Sequence, residues 1–203
     1  MTHELWLPVD PDQDRLSVDG KPLSIKQYLY VALHKPPGVV TTTRDEKGRQ
    51  DVLHLLPAEL RHLRPVGRLD MYSEGLLILT NDGELTQKLT HPQHQMTKLY
   101  WVQVKGEVTE KAIEQLRAGV ELSDGLTLPA GVTLVDRNKS YSELEITLRE
   151  GRNRQVRRMC DHLGYPVSRL VRLAVGALQL GGMPLGSWRY LDDAEVKLLK
   201  SAL

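Results

Sequence analysis

Phenylalanine is absent from this 203-residue chain, and cysteine occurs once, as Cys160. The lone cysteine excludes an internal disulfide, which fits a reducing cytoplasm. No apolar run approaches the roughly 20 residues that a membrane-spanning helix needs, so no membrane partner is expected. Met1 to Asp14 is acidic and interrupted by Pro8 and Pro11, where an export signal would be basic and then apolar; a cytoplasmic protein is expected. The chain also lacks the Gly-x-x-x-x-Gly-Lys-Ser/Thr phosphate cradle, the dinucleotide glycine fingerprint and any His-Glu-x-x-His pattern, which sets aside the chemistries those motifs serve. His91 and His94 flank Pro92 and read as a loop, Cys160 stands alone, and no metal site is expected. Ser73 has no nucleophile-elbow context. Internal repeats and low-complexity tracts are missing too.

What remains is an ordinary globular composition, 40% hydrophobic and 26% charged, in a length that suits one substantial core. Net charge is only +1, but its distribution is uneven. Residues 149 to 172 hold seven arginines (149, 152, 154, 157, 158, 169, 172) against Glu150 and Asp161, a local balance of +5 that leaves −4 for the rest. Scattered charge usually means a solvated helix face. An all-arginine cluster is less ordinary, because Arg grips phosphates bidentately and stacks on bases, and it can present a positive field to a nucleic-acid backbone.

The pattern of residues predicts a lead-in over 1–25, with Arg15 to Gly20 a short strand ending in an Asp-Gly turn, and one compact domain over 26–203. Leu29 to Leu33 reads as a strand closed by Lys35-Pro36-Pro37-Gly38, followed by a polar loop from Thr41 to Gln50 that carries Arg44, Lys47 and Arg49. A short helix is predicted over Val52 to Leu60, a buried strand over Leu76 to Thr80, and a helix over Glu84 to Thr90 that starts from Asn81-Asp82-Gly83. Tyr100, Val102 and Val104 alternate with polar or outward residues, and Leu144, Ile146 and Leu148 do the same, which predicts two half-buried strands. Thr109 caps a helix over Glu110 to Ala118 that Gly119 ends. Val156, Met159, Cys160 and Leu163 fall at i, i+3, i+4 and i+7, so Asn153 to Leu163 is an amphipathic helix. Strands are expected at Val167 to Leu173 and Val175 to Leu180, and a terminal helix at Asp192 to Leu203. Strands outnumber helices without regular alternation, which favours an α+β fold with a mixed, mainly antiparallel sheet and flanking helices over a doubly wound one.

Gly67-Arg68-Leu69-Asp70 places a lone carboxylate after a basic residue and a flexible glycine. Alone, such an Asp caps a turn. A carboxylate nucleophile has to be ionised, positioned and partly dried, and an arginine beside it, Arg157 or Arg68, favours the charged form and fixes its geometry. Arg157 follows the apolar-stripe residue Val156, about 100° around the helix, so it is expected at the edge of the buried face and pointing into a cleft. Tyr100 alone reads as core packing; facing a cleft, its ring offers a stacking surface for an extruded base and its hydroxyl a proton donor or acceptor. Lys35 in the Pro-Pro-Gly turn is structural or reaches a phosphate.

These blocks, taken in order, resemble those of the pseudouridine synthases, in the branch that modifies bacterial ribosomal RNA. The similarity runs from about Tyr30 to the C-terminus: Leu33 to Gly38, Gly67 to Asp70, Ser73-Glu74-Gly75-Leu76, Lys98-Leu99-Tyr100, Glu150 to Met159, and Pro184 to Arg189. The resemblance implies the pseudouridine synthase fold with a catalytic cleft across the sheet. It implies Asp70 as nucleophile, Tyr100 as the stacking tyrosine and Arg157 as the ionic partner of Asp70, with Arg68 helping to occupy the space of the extruded base. Arg152, Arg154, Arg158 and Lys35 are the further candidate RNA contacts. The implied reaction breaks the uridine C1′–N1 bond, turns the uracil and joins C1′ to C5, an isomerisation that needs no cofactor or metal. Asp70 would attack C1′ or C6, or assist a glycal route. The Arg152-to-Arg158 block looks more like members acting on 23S rRNA than the small-subunit member, and a monomer is expected. Many relatives begin with an RNA-binding module like that of ribosomal protein S4, of which only Asp14 to Leu23 looks like a remnant. The alternatives are a noncatalytic rRNA-binding assembly factor, which the arginine cluster alone supports equally well, and a synthase acting on 16S rRNA or tRNA. An Asp-based phosphate hydrolase is disfavoured for want of metal ligands.

Overall fold

Four consecutive apolar residues, Leu76 to Leu79, cannot lie on a sheet with one wet face and must be covered on both sides. In the computed structural model of the protein they are: every residue of the strand Glu74–Thr80 is buried. The structure describes residue 10 and residues 16–22, 27–42 and 48–201. The acidic start, much of the 1–25 lead-in, Arg44 and Lys47 of the polar loop, and residues 202 and 203 of the terminal helix expectation lie outside the described residues.

In chain order the elements are β1 (Ser17–Val18), β2 (Lys21–Pro22), β3 (Tyr30–Lys35), two 3-10 turns (Val52–Leu55 and Ala58–Leu60), β4 (Arg64–Val66) and β5 (Glu74–Thr80). Then come α1 (Gly83–Thr90), a 3-10 turn (Pro92–His94), β6 (Lys98–Lys105), α2 (Glu110–Ala118), β7 (Glu121–Leu122) and β8 (Gly125–Leu126). The chain continues through β9 (Gly131–Arg137), β10 (Tyr141–Leu148), α3 (Gln155–His162), β11 (Val167–Val175), β12 (Leu178–Gln179), β13 (Trp188–Tyr190) and α4 (Asp193–Ser201). β1 and β2 form a separate hairpin over Asp19-Gly20, both at positive φ as a two-residue Asp-Gly turn requires.

The large sheet runs β13-β3-β5-β11-β6-β10-β9, with β4 added to β5 and β12 to β11. Its ladders are antiparallel except β5–β11, which is parallel. The fold is therefore α+β with a mixed, mainly antiparallel sheet and flanking helices. One edge of β5 is filled by β3 over residues 75–80. The other edge is divided: β4 takes Ile78 to Thr80, and β11 takes Glu74 and Gly75. Between them the Leu76 carbonyl faces no strand, and the buried Arg172 supplies the missing donor, Nε to O at 2.8 Å. β11 approaches so closely that a Cβ on Gly75 (φ 111°) would lie 2.3 Å from the Arg172 carbonyl oxygen, so only glycine fits the seam.

Alternation along the strands sorts the core into three clusters. On one face Val102, Val104, Leu144, Ile146, Leu148 and Leu170 pack under α2 and α3. On the same face Val31, Leu33, Leu77 and Leu79 pack under the two 3-10 turns after β3. The opposite face, with Ala32, Leu76, Ile78, Val171 and Val175, is covered by Leu85 and Leu89 of α1 and Leu199 of α4. Tyr100 touches both clusters of the first face, so the space between them opens above β6.

Several local expectations need correction. The helix predicted over Val52 to Leu60 is two 3-10 turns, because Pro57 lacks an N–H and takes an extended conformation between them. The strand expected over Val175 to Leu180 is the short β12, and α3 starts at Gln155 rather than Asn153. β4, β9, β13 and the β7–β8 hairpin were not anticipated. Among the described residues no helix is long and apolar enough to cross a membrane.

Candidate active site

β4 and β5 run antiparallel, and the chain between them, residues 67–73, leaves the sheet at the level where β11 replaces β4. It cannot stay in the sheet plane, so it rises over the face that carries Tyr100. Gly67 (φ 72°) makes the turn out of β4.

Every carbonyl from Arg68 to Ser73 is then held by a donor. Arg172 Nη1 meets Arg68 O at 3.4 Å, Thr41 Oγ1 meets Leu69 O at 2.9 Å, and Ser73 N meets Asp70 O at 3.0 Å. Gly38 N and Lys35 Nζ both reach Met71 O, at 2.8 and 3.2 Å. Arg157 Nη2 donates to Tyr72 O at 3.1 Å, and Lys35 Nζ to Ser73 O at 2.8 Å. Six consecutive bonded carbonyls make this loop a rigid mount, and three of the clamps are cations, whose hydrogen bonds are the stronger kind.

The mount presents Asp70 to a cavity of about 260 Å³ that Arg68, Ser73, Tyr100, Arg154 and Leu170 also line. The carboxylate is partly dried, with 29% of its side chain exposed, and its ion-pair contact is Arg154, Nη1 to Oδ2 at 3.8 Å. Arg154 opens α3 in the left-handed region (φ 48°), a conformation that costs a non-glycine residue roughly 1–2 kcal/mol. The Tyr100 ring stands on the cavity floor, and among the described residues its hydroxyl has no hydrogen-bond partner. Arg68 is exposed at the rim and likewise unpaired.

Three of the sequence expectations are redirected. Arg157 is nearly buried, as the edge-of-face argument required, but it lies behind the loop rather than in the cavity. Its guanidinium is taken by the carbonyls of Tyr72 and Val167, so Arg154 is the nearer cation to Asp70. Burial and the field of Arg154 push the Arg157 guanidinium below its usual range, opposed by Asp70. Lys35 does not reach a phosphate: it is fully buried and bonds three carbonyls, and burial lowers its pKa to about 8 against the opposing fields of Asp70 and Glu74. Arg152 and Arg158 are also occupied within the chain. Arg152 binds Glu150 and the carbonyls of Asp124, Gly125 and Leu126, and Arg158 forms a two-point pair with Asp124 that holds that carboxyl below its ordinary range.

Sequence reasoning gave no role to Thr41 and Arg172, which clamp the loop, or to Ser73, whose buried hydroxyl in the cavity wall has no partner. No local signal marks them, because each role depends on a strand junction. Among the described residues no group of three or more His, Cys, Asp or Glu side chains lies close enough to hold a metal ion.

A mounted carboxylate with a neighbouring guanidinium, set beside an aromatic ring, can act as a fixed nucleophile or base toward a planar group stacked on that ring. The RNA pseudouridylate synthase family profile matches residues 29–162. Large-subunit pseudouridine synthase B of Bacillus subtilis is 38% identical over 190 residues, covering 93% of this chain and 78% of that protein. Large-subunit synthase E of Vibrio vulnificus is 41% identical over 186 residues, covering 85% and 79%. A crystal structure of a pseudouridylate synthase superposes with a TM-score of 0.80 at 28% identity, covering 95% of this chain and 83% of the other. The chain belongs to the RNA pseudouridylate synthase family, and it is an isomerase of that type.

Proposed function

We propose that the protein converts a specific uridine of 23S ribosomal RNA to pseudouridine, with Asp70 as the reacting carboxylate. The observation that carries this reading is the rigid mount: six successive carbonyls are bonded so that one carboxylate is held beside Tyr100 in a cavity. Pre-positioning of this kind is what a reaction between a bound nucleotide and a fixed group requires. The resemblance to large-subunit synthases favours 23S RNA over 16S RNA or tRNA.

The target uridine leaves its stack, at a cost of a few kcal/mol that stacking and backbone contacts offset. Its base lies against Tyr100, and Arg68 fills the space it vacates. Asp70 attacks C1′ or C6, or assists a glycal route, with Arg154 as the nearest cation to its carboxylate. The C1′–N1 bond breaks, the ring turns, C1′ joins C5, any bond formed to Asp70 breaks again and returns its electron pair to the carboxylate, and the C5 proton departs while N1 gains one. Tyr100 is placed to assist that proton removal. Arg157 acts through the loop, as a positioning residue.

Because the C5 hydrogen is lost, tritium release from RNA labelled at uridine C5 reads the reaction directly. Release is expected from 23S fragments and is abolished in Asp70→Asn, with RNA binding retained. No release from rRNA or tRNA fragments would overturn the enzyme reading and leave the noncatalytic binding factor.

A further inference from the structure

The Asp70 cavity has a neighbour. A second cavity of about 230 Å³ lies across a shared wall that includes Arg68 and Tyr100, and its lining adds Lys98 and Arg149. Among the described residues the side chains of Arg68 and Arg149 have no hydrogen bond or ion pair, and Lys98 Nζ makes one hydrogen bond, to Met96 O at 2.8 Å. An ammonium has three donors, so two of them are left over. Arg172, also in the lining, gives its Nε and Nη1 to the carbonyls of Leu76 and Arg68. The acid in the wall, Glu150, is already engaged by Arg152 (3.0 Å), Gln155 Nε2 (2.6 Å) and Leu128 N (2.9 Å).

Four cations without a carboxylate partner, Arg68, Lys98, Arg149 and Arg172, therefore converge on one concavity. Lys98 is half-buried there, and burial together with the field of Arg172 lowers its pKa, so a bound anion would relieve it. Lys98 and Tyr100 are two residues apart on β6 and emerge on the same face at roughly 7 Å, the reach of one nucleotide along a single strand.

We propose that this second cavity is a phosphate subsite, in which Lys98 and Arg149 bind the phosphodiester adjoining the nucleotide held over Tyr100. The subsite rests on the reading of the protein as an RNA enzyme. It assigns the phosphate contacts to cations that are free, in place of Arg152 and Arg158, which are not.

The test uses the full chain and hexauridylate as probe, with affinity measured across a range of KCl concentrations. Arg149→Ala and Lys98→Met should each reduce the slope of log affinity against log salt by about 0.7, the value for one phosphate contact on a single strand. Arg158→Ala and Lys111→Ala, the latter exposed on α2, should leave the slope unchanged. Arg149 is at the surface, so its truncation leaves the fold intact even if Lys98→Met does not fold. A wild-type slope in Arg149→Ala overturns the subsite, and so does an equal drop in Lys111→Ala, which would mean a diffuse field. Binding is read without turnover, so absence of tritium release by the wild type would sink the functional reading while the slopes still decide the subsite. Where release occurs, Arg149→Ala should raise KM about 10-fold with kcat kept, the signature of lost uniform binding.

Discussion

Arg157 grips the Asp70 loop from behind: its Nη2 donates to the Tyr72 carbonyl at 3.1 Å, two residues beyond the carboxylate, while Nη1 reaches Val167 O at 3.3 Å on β11. One side chain thus ties the loop to the strand that forms the β5 seam. Arg157→Ala should loosen the mount without removing an RNA contact. Losing two charge-assisted bonds from a nearly buried site costs roughly 2–4 kcal/mol. A displacement of Asp70 by about 1 Å costs on the order of 100-fold in rate. Single-turnover tritium release at saturating RNA should fall by that order while affinity holds. A wild-type rate in this variant would remove Arg157 from the positioning of Asp70.

Arg154 makes the opposite trade. It sits at φ 48° with its guanidinium 3.8 Å from Asp70 Oδ2 and 46% of its side chain exposed. Arg154→Gly should relieve backbone strain and raise the melting temperature, by an amount equivalent to roughly 1 kcal/mol. The same variant should slow the chemical step, because the nearest cation to the carboxylate is gone. If the rate stays at wild type while stability rises, the ion pair has no part in the reaction.

The two arginines show where the sequence was readable. The helix that carries Arg157 was visible from its apolar spacing, and α2 was delimited at both ends by Thr109 and Gly119, because those signals are local. Which of the two arginines meets Asp70 depends on a left-handed start at Arg154, and a non-glycine residue does not advertise that. Asp70 and Tyr100 stood out through ordered motifs. The clamps did not, since Lys35 is buried by a loop about 36 residues further along, and Arg172 is needed only because β5 divides one edge between β4 and β11. β4 escaped notice for a related reason: three residues that include Pro65 carry no periodicity.

Lys35 offers a pH test. Its pKa is about 8 in the folded protein and near the ordinary 10.5 when unfolded, so between these values the unfolded chain binds more protons. Stability contributed by this group therefore rises with pH from about 8 to 10.5, because deprotonation removes the cost of a buried charge. Denaturant midpoints of the wild type, measured against Lys35→Met over that window, should climb relative to the variant. At pH 7 Lys35→Met should itself lose several kcal/mol, since the carbonyls of Pro36 and Ser73 lose their donor and that of Met71 keeps only Gly38 N. A difference that is flat or falling across the window would contradict the burial of a charged ammonium.

Ser73 provides the sharpest separation between folding and function. Its hydroxyl is buried, has no hydrogen-bond partner and lies in the wall of the cavity that holds Asp70. The bonds that matter to the mount are made by its backbone, whose N–H donates to Asp70 O and whose carbonyl accepts from Lys35. Ser73→Ala keeps both and deletes an unsatisfied polar atom, so the melting temperature should be unchanged or should rise, by up to about 1 kcal/mol of stability. If the bound nucleotide reaches this covered hydroxyl, which has a free donor and two free lone pairs in the wall beside Asp70, it gains one hydrogen bond. Its loss should then slow single-turnover release about 10-fold, the equivalent of one hydrogen bond of roughly 1.4 kcal/mol. Thermal melting and tritium release on the same preparation read both effects. A variant that melts several degrees lower yet reacts at the wild-type rate would show that the hydroxyl supports the fold and does not meet the substrate.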